Sequence, residues 1–251
     1  MKLGSLAVGL LAAVVVAGCQ FGVPPDPNDR SASEIPDPEV LRNELDGVWL
    51  MLQNRIGTGE ITRPEAEARF REFAVQRLEN WDPRLIPQDR VWLAGQVFRS
   101  ARRWDNARTL LRRALRQPIS DEQKVSTLVS LAAVEAELGN VEETNRLLGE
   151  AGTVEDPYAR RIILPETLNF IVPALLNRTS PDVIFRMVEN AITIHLTTSH
   201  PATQSPAGKQ FERERNELAA AAYEVLSDIR RQQGRLAESE ELKSQAERLR
   251  S

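Results

Sequence analysis

The pattern of hydrophobic and polar residues is helical from residue 38 onward. Apolar residues recur at three- and four-residue spacing, and the alternating Val, Ile and Thr runs typical of strands are few. Polar residues that begin helices stand between these stretches, either before a proline or three residues before Glu or Gln. These start signals are Asp37–Pro38, Ser180–Pro181, Thr62 with Glu65, and Ser120 with Gln123.

The spacing predicts an all-α fold in which consecutive helices form antiparallel pairs. The predicted helices span residues 38–56, 63–79, 88–102, 105–117, 121–138, 141–151, 165–178, 181–196, 209–233 and 235–249. Pro173 falls inside the seventh helix, where a proline removes a backbone donor and clashes with the preceding turn. We therefore expect a kink or a break at Pro173.

Three stretches of this helical region are similar to one another. The stretch "LAGQVFRSARRWDNARTLLRRALRQP" carries Gly95, Phe98, Trp104, Ala107, Leu111, Ala114 and Pro118. A second stretch has Leu131, Ala132, Gly139, Val141, Leu148 and Ala151 at matching places, and a third has Leu226, Gly234, Leu236 and Ala246. In the third stretch Ser239 replaces the small alanine. Small residues let paired helices approach, and large ones fill the space between pairs.

This spacing resembles the tetratricopeptide repeat, well in the first stretch and loosely in the other two. The resemblance covers somewhat under half of the chain and implies that residues 38–251 form a short solenoid of stacked helix pairs. It predicts burial of Phe98, Trp104, Leu111, Leu131 and Leu148. Residues 38–80 and 157–210 lack the signature, so a divergent helical repeat of another type and an irregular helical bundle remain open alternatives.

The resemblance also implies a concave groove lined by the first helix of each pair. Matching the first repeat places Asp89, Trp92, Gln96 and Arg99 in that groove as partner-binding residues. The matching positions of the second repeat are Ser126, Val129, Ala133 and Ala136. The Lys and Asn side chains of the family's peptide-carboxylate clamp do not occur there, so recognition of a free C-terminus is not expected. The alternative for Trp92 is ordinary packing against a neighbouring helix.

The N-terminus has the layout of an export signal. Lys2 supplies a positive charge, and residues 3–16 form an apolar stretch of signal-peptide length. The residues Val16-Ala17-Gly18-Cys19 resemble the lipobox of bacterial lipoproteins. The resemblance implies that residues 1–18 are a signal peptide and that Cys19, acylated by chains such as palmitate, begins the mature protein. The alternatives are a signal peptide with a chance cysteine and a buried apolar helix.

Residues 19–37 are rich in proline and predict a flexible tether behind the lipid. In the enterobacterial sorting pattern a residue other than Asp after the cysteine favours the outer membrane. The resemblance at Cys19 therefore predicts a lipid-anchored protein at the bacterial cell envelope. Gln20 favours the outer membrane, with the protein facing the periplasm. Residues 28–251 contain no apolar run near the ~20 residues that span a bilayer, so the expected membrane attachment is the N-terminal lipid.

Charge and motifs narrow the function classes. The 251 residues hold 32 Lys plus Arg against 36 Asp plus Glu, and this balance gives no reason to expect nucleic acid. No hydrolase, nucleotide or metalloprotease motif occurs. His195 and His200 stand without clustered ligands and are interpreted as surface residues. We therefore expect no catalytic residues, no metal and no cofactor.

Arginines crowd the first repeat. Their outward charge fits either an anionic partner or a solvated face paired with nearby acids, and the paired face is the more common arrangement. The arginines are Arg99, Arg102, Arg103, Arg108, Arg112, Arg113 and Arg116.

These observations favour a non-enzymatic protein-protein interaction scaffold anchored to the membrane by lipid, with an envelope protein or peptide as partner. The alternative is a solute-binding or enzyme-accessory lipoprotein whose helical body encloses a ligand pocket. The two hypotheses differ in the cavity they require. A scaffold needs an open groove, whereas a solute binder needs a closed apolar pocket with a few converging polar groups.

Overall fold

A computed structural model describes residues 37–79, 81–84 and 86–251. Helices hold 77% of the described residues, and no strand occurs among them, which confirms the all-α prediction. The α-helices are α1 (Pro38–Gly57), α2 (Arg63–Arg77), α3 (Val91–Ser100), α4 (Trp104–Ala114), α5 (Asp121–Glu137), α6 (Val141–Gly152), α7 (Ile163–Glu166), α8 (Val172–Leu175), α9 (Pro181–Leu196), α10 (Pro206–Gln232) and α11 (Leu236–Arg250). None of the described helices has both the length and the apolar character that a membrane span requires.

The predicted start signals open four of these helices. The Asp37 carboxylate accepts hydrogen bonds from two backbone N–H groups of α1, and Thr62 and Ser120 each form a complete capping box. These contacts satisfy N–H groups that have no partner within the helix. Ser180 differs because its hydroxyl makes no capping bond, and α9 begins instead with Pro181, whose ring fixes φ near the helical value.

The seventh predicted helix is interrupted. A 3₁₀ turn, Ala159–Ile162, leads into α7, and a π-helical turn, Thr167–Ile171, separates α7 from α8. In the π turn the Val172 N–H donates to the Thr167 carbonyl, five residues back. Pro173 is the second residue of α8 and has no N–H to donate. The break therefore lies directly before Pro173, as predicted.

The turns within the pairs α3–α4, α5–α6 and α10–α11 share one backbone geometry. The second residue after each helix is left-handed, with φ of 56° at Arg102, 82° at Gly139 and 77° at Gly234. The next residue in each turn donates its N–H to the carbonyl five residues back, at 2.8, 2.8 and 2.9 Å. These next residues have φ/ψ of −92°/70°, −87°/72° and −88°/64° at Arg103, Asn140 and Arg235. The internal similarity seen in the sequence thus appears as a repeated turn.

The small residues of the repeated stretches lie where paired helices touch. A Cβ added to Gly95 would come within 2.7 Å of the Leu111 side chain, so α3 and α4 approach as closely as a glycine allows. At the matching position of the third pair, the Ser227 hydroxyl lies 2.8 Å from the Ser239 hydroxyl, and both serines are buried. The buried hydroxyl that Ser239 introduces in place of alanine is therefore not left without a hydrogen-bond partner, because Ser227 faces it.

The left-handed turns make a direct stability prediction. We expect Gly139→Ala to lower the free energy of unfolding by about 1–2 kcal/mol, because a Cβ is unfavourable at positive φ. The matched control is Gly149→Ala within α6, where a Cβ would meet no atom within 4 Å. That substitution should stabilise the chain by about 0.5–1 kcal/mol, since alanine is the better helix former. Urea denaturation measures both, and a loss at both positions would contradict the assignment.

Most of the predicted core is buried, with one exception. Phe98, Leu111, Leu131 and Leu148 are at most 3% exposed. Trp104 is only half-buried, so the prediction of its burial is wrong. Trp104 is the first residue of α4 and lies next to the turn that joins α3 to α4. The residues at the same position in the other pairs are exposed too, Val141 partly and Leu236 to 63%.

The helices pack as adjacent pairs, each on its neighbours along the chain. Helix α1 contacts α2 and α3, α4 contacts α5, and α10 contacts α9 and α11. Helix α5 is the centre of the structure because every residue from Thr127 to Ala136 is buried. Its sequence, with apolar or small residues on all sides, is typical of a helix enclosed by others.

Candidate functional site

The four predicted groove residues follow one another along α3 and the turn before it, but they differ in exposure. Asp89 is exposed in the 3₁₀ turn Gln88–Arg90, and Trp92 is half-buried on the first turn of α3. Gln96 is buried, and the Arg99 side chain is 12% exposed. Cys19, the predicted lipidation site, lies outside the described residues.

Gln96 and Arg99 form a polar network with α5. The side-chain nitrogen of Gln96 donates to the Ser130 hydroxyl at 2.8 Å. The same hydroxyl donates to the side-chain oxygen of Gln96 at 2.9 Å. Arg99 donates to the same hydroxyl at 2.9 Å. This network satisfies both atoms of the buried carboxamide within the chain. Gln96 therefore has little capacity left for a partner.

The rest of Arg99 faces the interrupted helical segment. Its guanidinium forms an ion pair with Glu166 at 2.8 Å and lies over the Phe170 ring at 4.5 Å. At either end of α5, Arg161 pairs with Glu122 at 2.7 Å and Arg178 donates to the Glu137 carbonyl. The segment from 159 to 178 thus runs along α5 in the same direction, from its beginning to its end.

This segment covers the face that the resemblance assigns to an open groove. Val129, Ala133 and Ala136 of α5 are all buried. The segment "IILPETLNFIVPALL" is apolar over most of its length, and this composition is the signal that it packs inside rather than on the surface. Asp89 and Trp92 are the predicted groove residues that keep access to solvent, and a binding role for the set stays a prediction.

Two open clefts lie on either side of α9, which the groove prediction did not include. The first, which we name the apolar cleft, has a volume of about 380 Å³ and lies between α6, α7 and α9. Its floor consists of Leu148, Ile163, Met187, Ala191 and Ile194, and its rim of Asn145, Arg186 and Asn190. The sequence signal for it is the apolar row of α9 at four- and three-residue spacing.

The second, which we name the acidic cleft, has a volume of about 830 Å³ and lies between α9, α10 and α11. It is lined by Phe185, Glu189, Tyr223, Arg230, Glu241 and Leu242, with Glu238 beside Arg230. Arg186 and Asn190 belong to both clefts and form the ridge between them. No sequence motif marked this site, because its residues are contributed by three different helices.

The buried Arg230 is the centre of the ion pairs at the acidic cleft. Arg230 is 8% exposed, and its guanidinium carbon lies 3.6 Å from the centroid of the Phe185 ring. It bonds Asp182 at 2.6 Å and lies 3.2 Å from Glu238, and its hydrogen bond lowers the pKa of Asp182. Burial, together with the nearby negative charge of Glu189, raises the pKa of Tyr223. The Glu189 carboxylate therefore lies close enough to Tyr223 to act on its hydroxyl.

Both histidines were expected at the surface, but they differ in their exposure. His195 is 3% exposed, so its interpretation as a surface residue is wrong, because the end of α9 packs beneath α10 and the preceding loop. Burial, together with the charge of Arg215, lowers the pKa of His195 to about 4. Neither ring nitrogen has a hydrogen-bond partner among the described residues. His200 is half-buried, and its Nδ1 accepts from the Ala202 N–H at 3.0 Å.

The arginine cluster of the first repeat is mostly paired within the chain. Ion pairs join Arg99 to Glu166, Arg102 to Glu67, Arg108 to Asp105 and Arg112 to Glu135, and Arg113 donates to Gln88. These contacts favour the solvated, acid-paired face over an anion-binding surface.

A metal ion would require a group of side chains placed together in the described part of the chain. Within residues 37–79, 81–84 and 86–251, no three His, Cys, Asp or Glu side chains are placed to hold a metal ion. Comparison with known protein families gives no match, and no curated protein sequence matches the chain.

Proposed function

We propose that the protein is a lipid-anchored, non-enzymatic scaffold that binds a protein or peptide partner at the bacterial cell envelope. The observation that carries this proposal is the open surface formed by the apolar and acidic clefts. Two adjoining clefts joined by an exposed ridge suit a polypeptide that lies across α9. The anchor rests on the sequence around Cys19, which resembles a lipobox.

The shape of the clefts favours this function over solute binding. A solute-binding lipoprotein needs an enclosed pocket that covers most of its ligand. The apolar and acidic clefts both open to solvent, and their rims carry exposed Arg186, Glu189 and Asn190. Mixed polar rims around an apolar centre are typical of protein-protein interfaces.

The anchor would hold the helical body close to the membrane while the proline-rich tether lets it reach a partner. Residues 20–37, if extended as polyproline II, span on the order of 50 Å. Gln20 after the acylated cysteine favours the outer membrane, with the body in the periplasm. In this arrangement the clefts would meet partners in the periplasm or on the membrane surface.

One experiment in a Gram-negative host tests both halves of the proposal. The full chain carries a photo-crosslinking amino acid at Thr193, an exposed residue of the acidic cleft, and is compared with its Cys19→Ser variant. We expect the Cys19 chain to sediment with membranes after a high-salt wash and to form a discrete crosslinked adduct. The Cys19→Ser chain should be released, because one acylation site supplies the anchor.

The matched control places the crosslinker at Gln53, which is exposed on α1. Adducts of equal yield from Thr193 and Gln53 would argue against a defined partner site. Retention of the Cys19→Ser chain in the washed membranes would show that the anchor lies elsewhere.

A further inference from the structure

Helix α9 presents three rows of side chains to the surface formed by the two clefts. Met187, Ala191 and Ile194 follow one another at four- and three-residue spacing and face the apolar cleft. Phe185, Glu189 and Thr193 follow at four-residue spacing and face the acidic cleft. Arg186 and Asn190 lie between these rows and line both clefts. A polypeptide that crosses the ridge therefore meets an apolar site on one side and a carboxylate site on the other.

The apolar cleft has room for one large apolar side chain. Its volume of about 380 Å³ lies at the small end of ligand sites, and its floor is contributed by α6, α7 and α9. Leu148, Ile163 and Met187 in that floor are at most 4% exposed. At its rim, the Asn145 and Asn190 side chains make no hydrogen bond to another described residue. Each carboxamide can both donate and accept, which matches the N–H and C=O groups of a peptide backbone.

The acidic cleft has two carboxylates beyond those that pair with its buried arginine. The positive charge of Arg230 is taken up by Asp182 at 2.6 Å and Glu238 at 3.2 Å. Glu189 and Glu241 form no ion pair within the described part of the chain. Both residues are exposed at the cleft, so a cation can reach them. Their complement is a Lys or Arg side chain, while Arg186 on the ridge is placed to donate to a backbone carbonyl.

The width of α9 sets the spacing between the two side chains of a ligand. A helix with its side chains is about 10 Å across. A peptide in the polyproline II conformation advances about 3.1 Å per residue and returns to the same side every third residue. Side chains three positions apart therefore point the same way at a separation of about 9 Å, which is close to the width of a helix.

We propose that the two clefts together bind a peptide of polyproline II conformation that carries a large apolar residue and, three positions away, a Lys or Arg. The apolar side chain enters the apolar cleft, the backbone crosses α9 at Arg186 and Asn190, and the cation pairs with Glu189 and Glu241. This inference rests on the proposed scaffold function and assigns its partner a chemistry.

An array of synthetic 12-residue peptides tests the assignment with the full chain. Each peptide has the same Pro-, Ser- and Ala-rich framework, one Leu or Phe, and a Lys, Arg, Ser or Glu two, three or four positions away. We expect peptides with Lys or Arg at the third position to bind about tenfold more tightly than the matching Glu peptides. Glu189→Gln with Glu241→Gln should remove that preference, so that the Lys, Arg and Glu peptides bind with similar affinity.

Exposed positions provide the controls, so loss of folding does not complicate the result. Glu155→Gln with Glu212→Gln removes two exposed acids away from the clefts and should leave the preference intact. Asn190→Lys places bulk and positive charge on the ridge and should abolish binding with an unchanged melting curve.

Equal binding of Lys and Glu peptides, or no binding by any peptide, would overturn the assigned chemistry. The Thr193 adduct is independent of this array, and its absence would overturn the scaffold function itself.

Discussion

We expect Phe98→Ala to lower the free energy of unfolding by about 3–5 kcal/mol, the usual cost of removing a buried phenylalanine ring. Phe98 is 1% exposed in α3, and its ring centroid lies 6.0 Å from that of Trp81. The alanine variant leaves a cavity that the surrounding helices fill only in part. Urea denaturation followed by circular dichroism measures the loss.

Trp104→Ala is the control for this prediction because it removes a larger ring from a half-buried position. It should lose less than Phe98→Ala, on the order of 1–2 kcal/mol, since less apolar area leaves the water on folding. A greater loss for Trp104→Ala than for Phe98→Ala would mean that the core lies nearer the ends of the helix pairs.

We expect the chain to lose about 2 kcal/mol of stability through His195 alone when the pH falls from 7.5 to 5. The pKa of His195 is about 4 in the folded chain, against an ordinary value of 6.5. Between these two values the unfolded chain binds a proton that the folded chain excludes. The contribution of His195 is therefore fully present above pH 6.5 and is lost as the pH falls toward 4.

The comparison that isolates this contribution is His195→Leu, studied by urea denaturation at both pH values. Its stability should fall less with pH than that of the unmodified chain, by the same ~2 kcal/mol. His200→Gln is the matched control because His200 is half-buried and already bonded to the Ala202 N–H. An identical pH dependence for His195→Leu and the unmodified chain would show that His195 is reached by protons in the folded state.

The helices were predictable from the sequence because their start signals are local. Capping contacts at Thr62 and Ser120 depend on residues three positions apart, and the break at Pro173 depends on a missing N–H. Such features act within one turn of the chain, so neighbouring residues suffice to reveal them. The repeated turns were visible for a similar reason, as glycine at 139 and 234 marks a left-handed residue.

Burial at the ends of the pairs and on the inner face was not predictable in the same way. The periodicity that places Trp104 on an apolar face does not show how far the next pair extends over it. The enclosure of Val129, Ala133 and Ala136 depends on where the segment from 159 to 175 returns, which is a tertiary property. His195 was misjudged for the same reason, because its cover comes from a later helix and loop.

The clefts on α9 illustrate the same limit for function. Their polar residues are ordinary in the sequence, and only the approach of α6, α10 and α11 gives them a shared surface. The combination of aromatic and polar residues on α3, by contrast, predicted a binding face. In the structure, Gln96 and Arg99 of that face make their contacts within the chain. A repeat signature locates helices well, and it locates a free face only when the next element is also known.

The packing of each helix on its neighbours along the chain has a kinetic consequence. Most contacts, such as those within α3–α4, α5–α6 and α10–α11, close loops of only a few residues, and short loops cost little entropy to close. Folds built mainly from such contacts reach the native state quickly. If the chain is exported as proposed, it would cross the membrane unfolded and would have to fold afterwards. Rapid local closure shortens the time during which its apolar helix faces are exposed to aggregation.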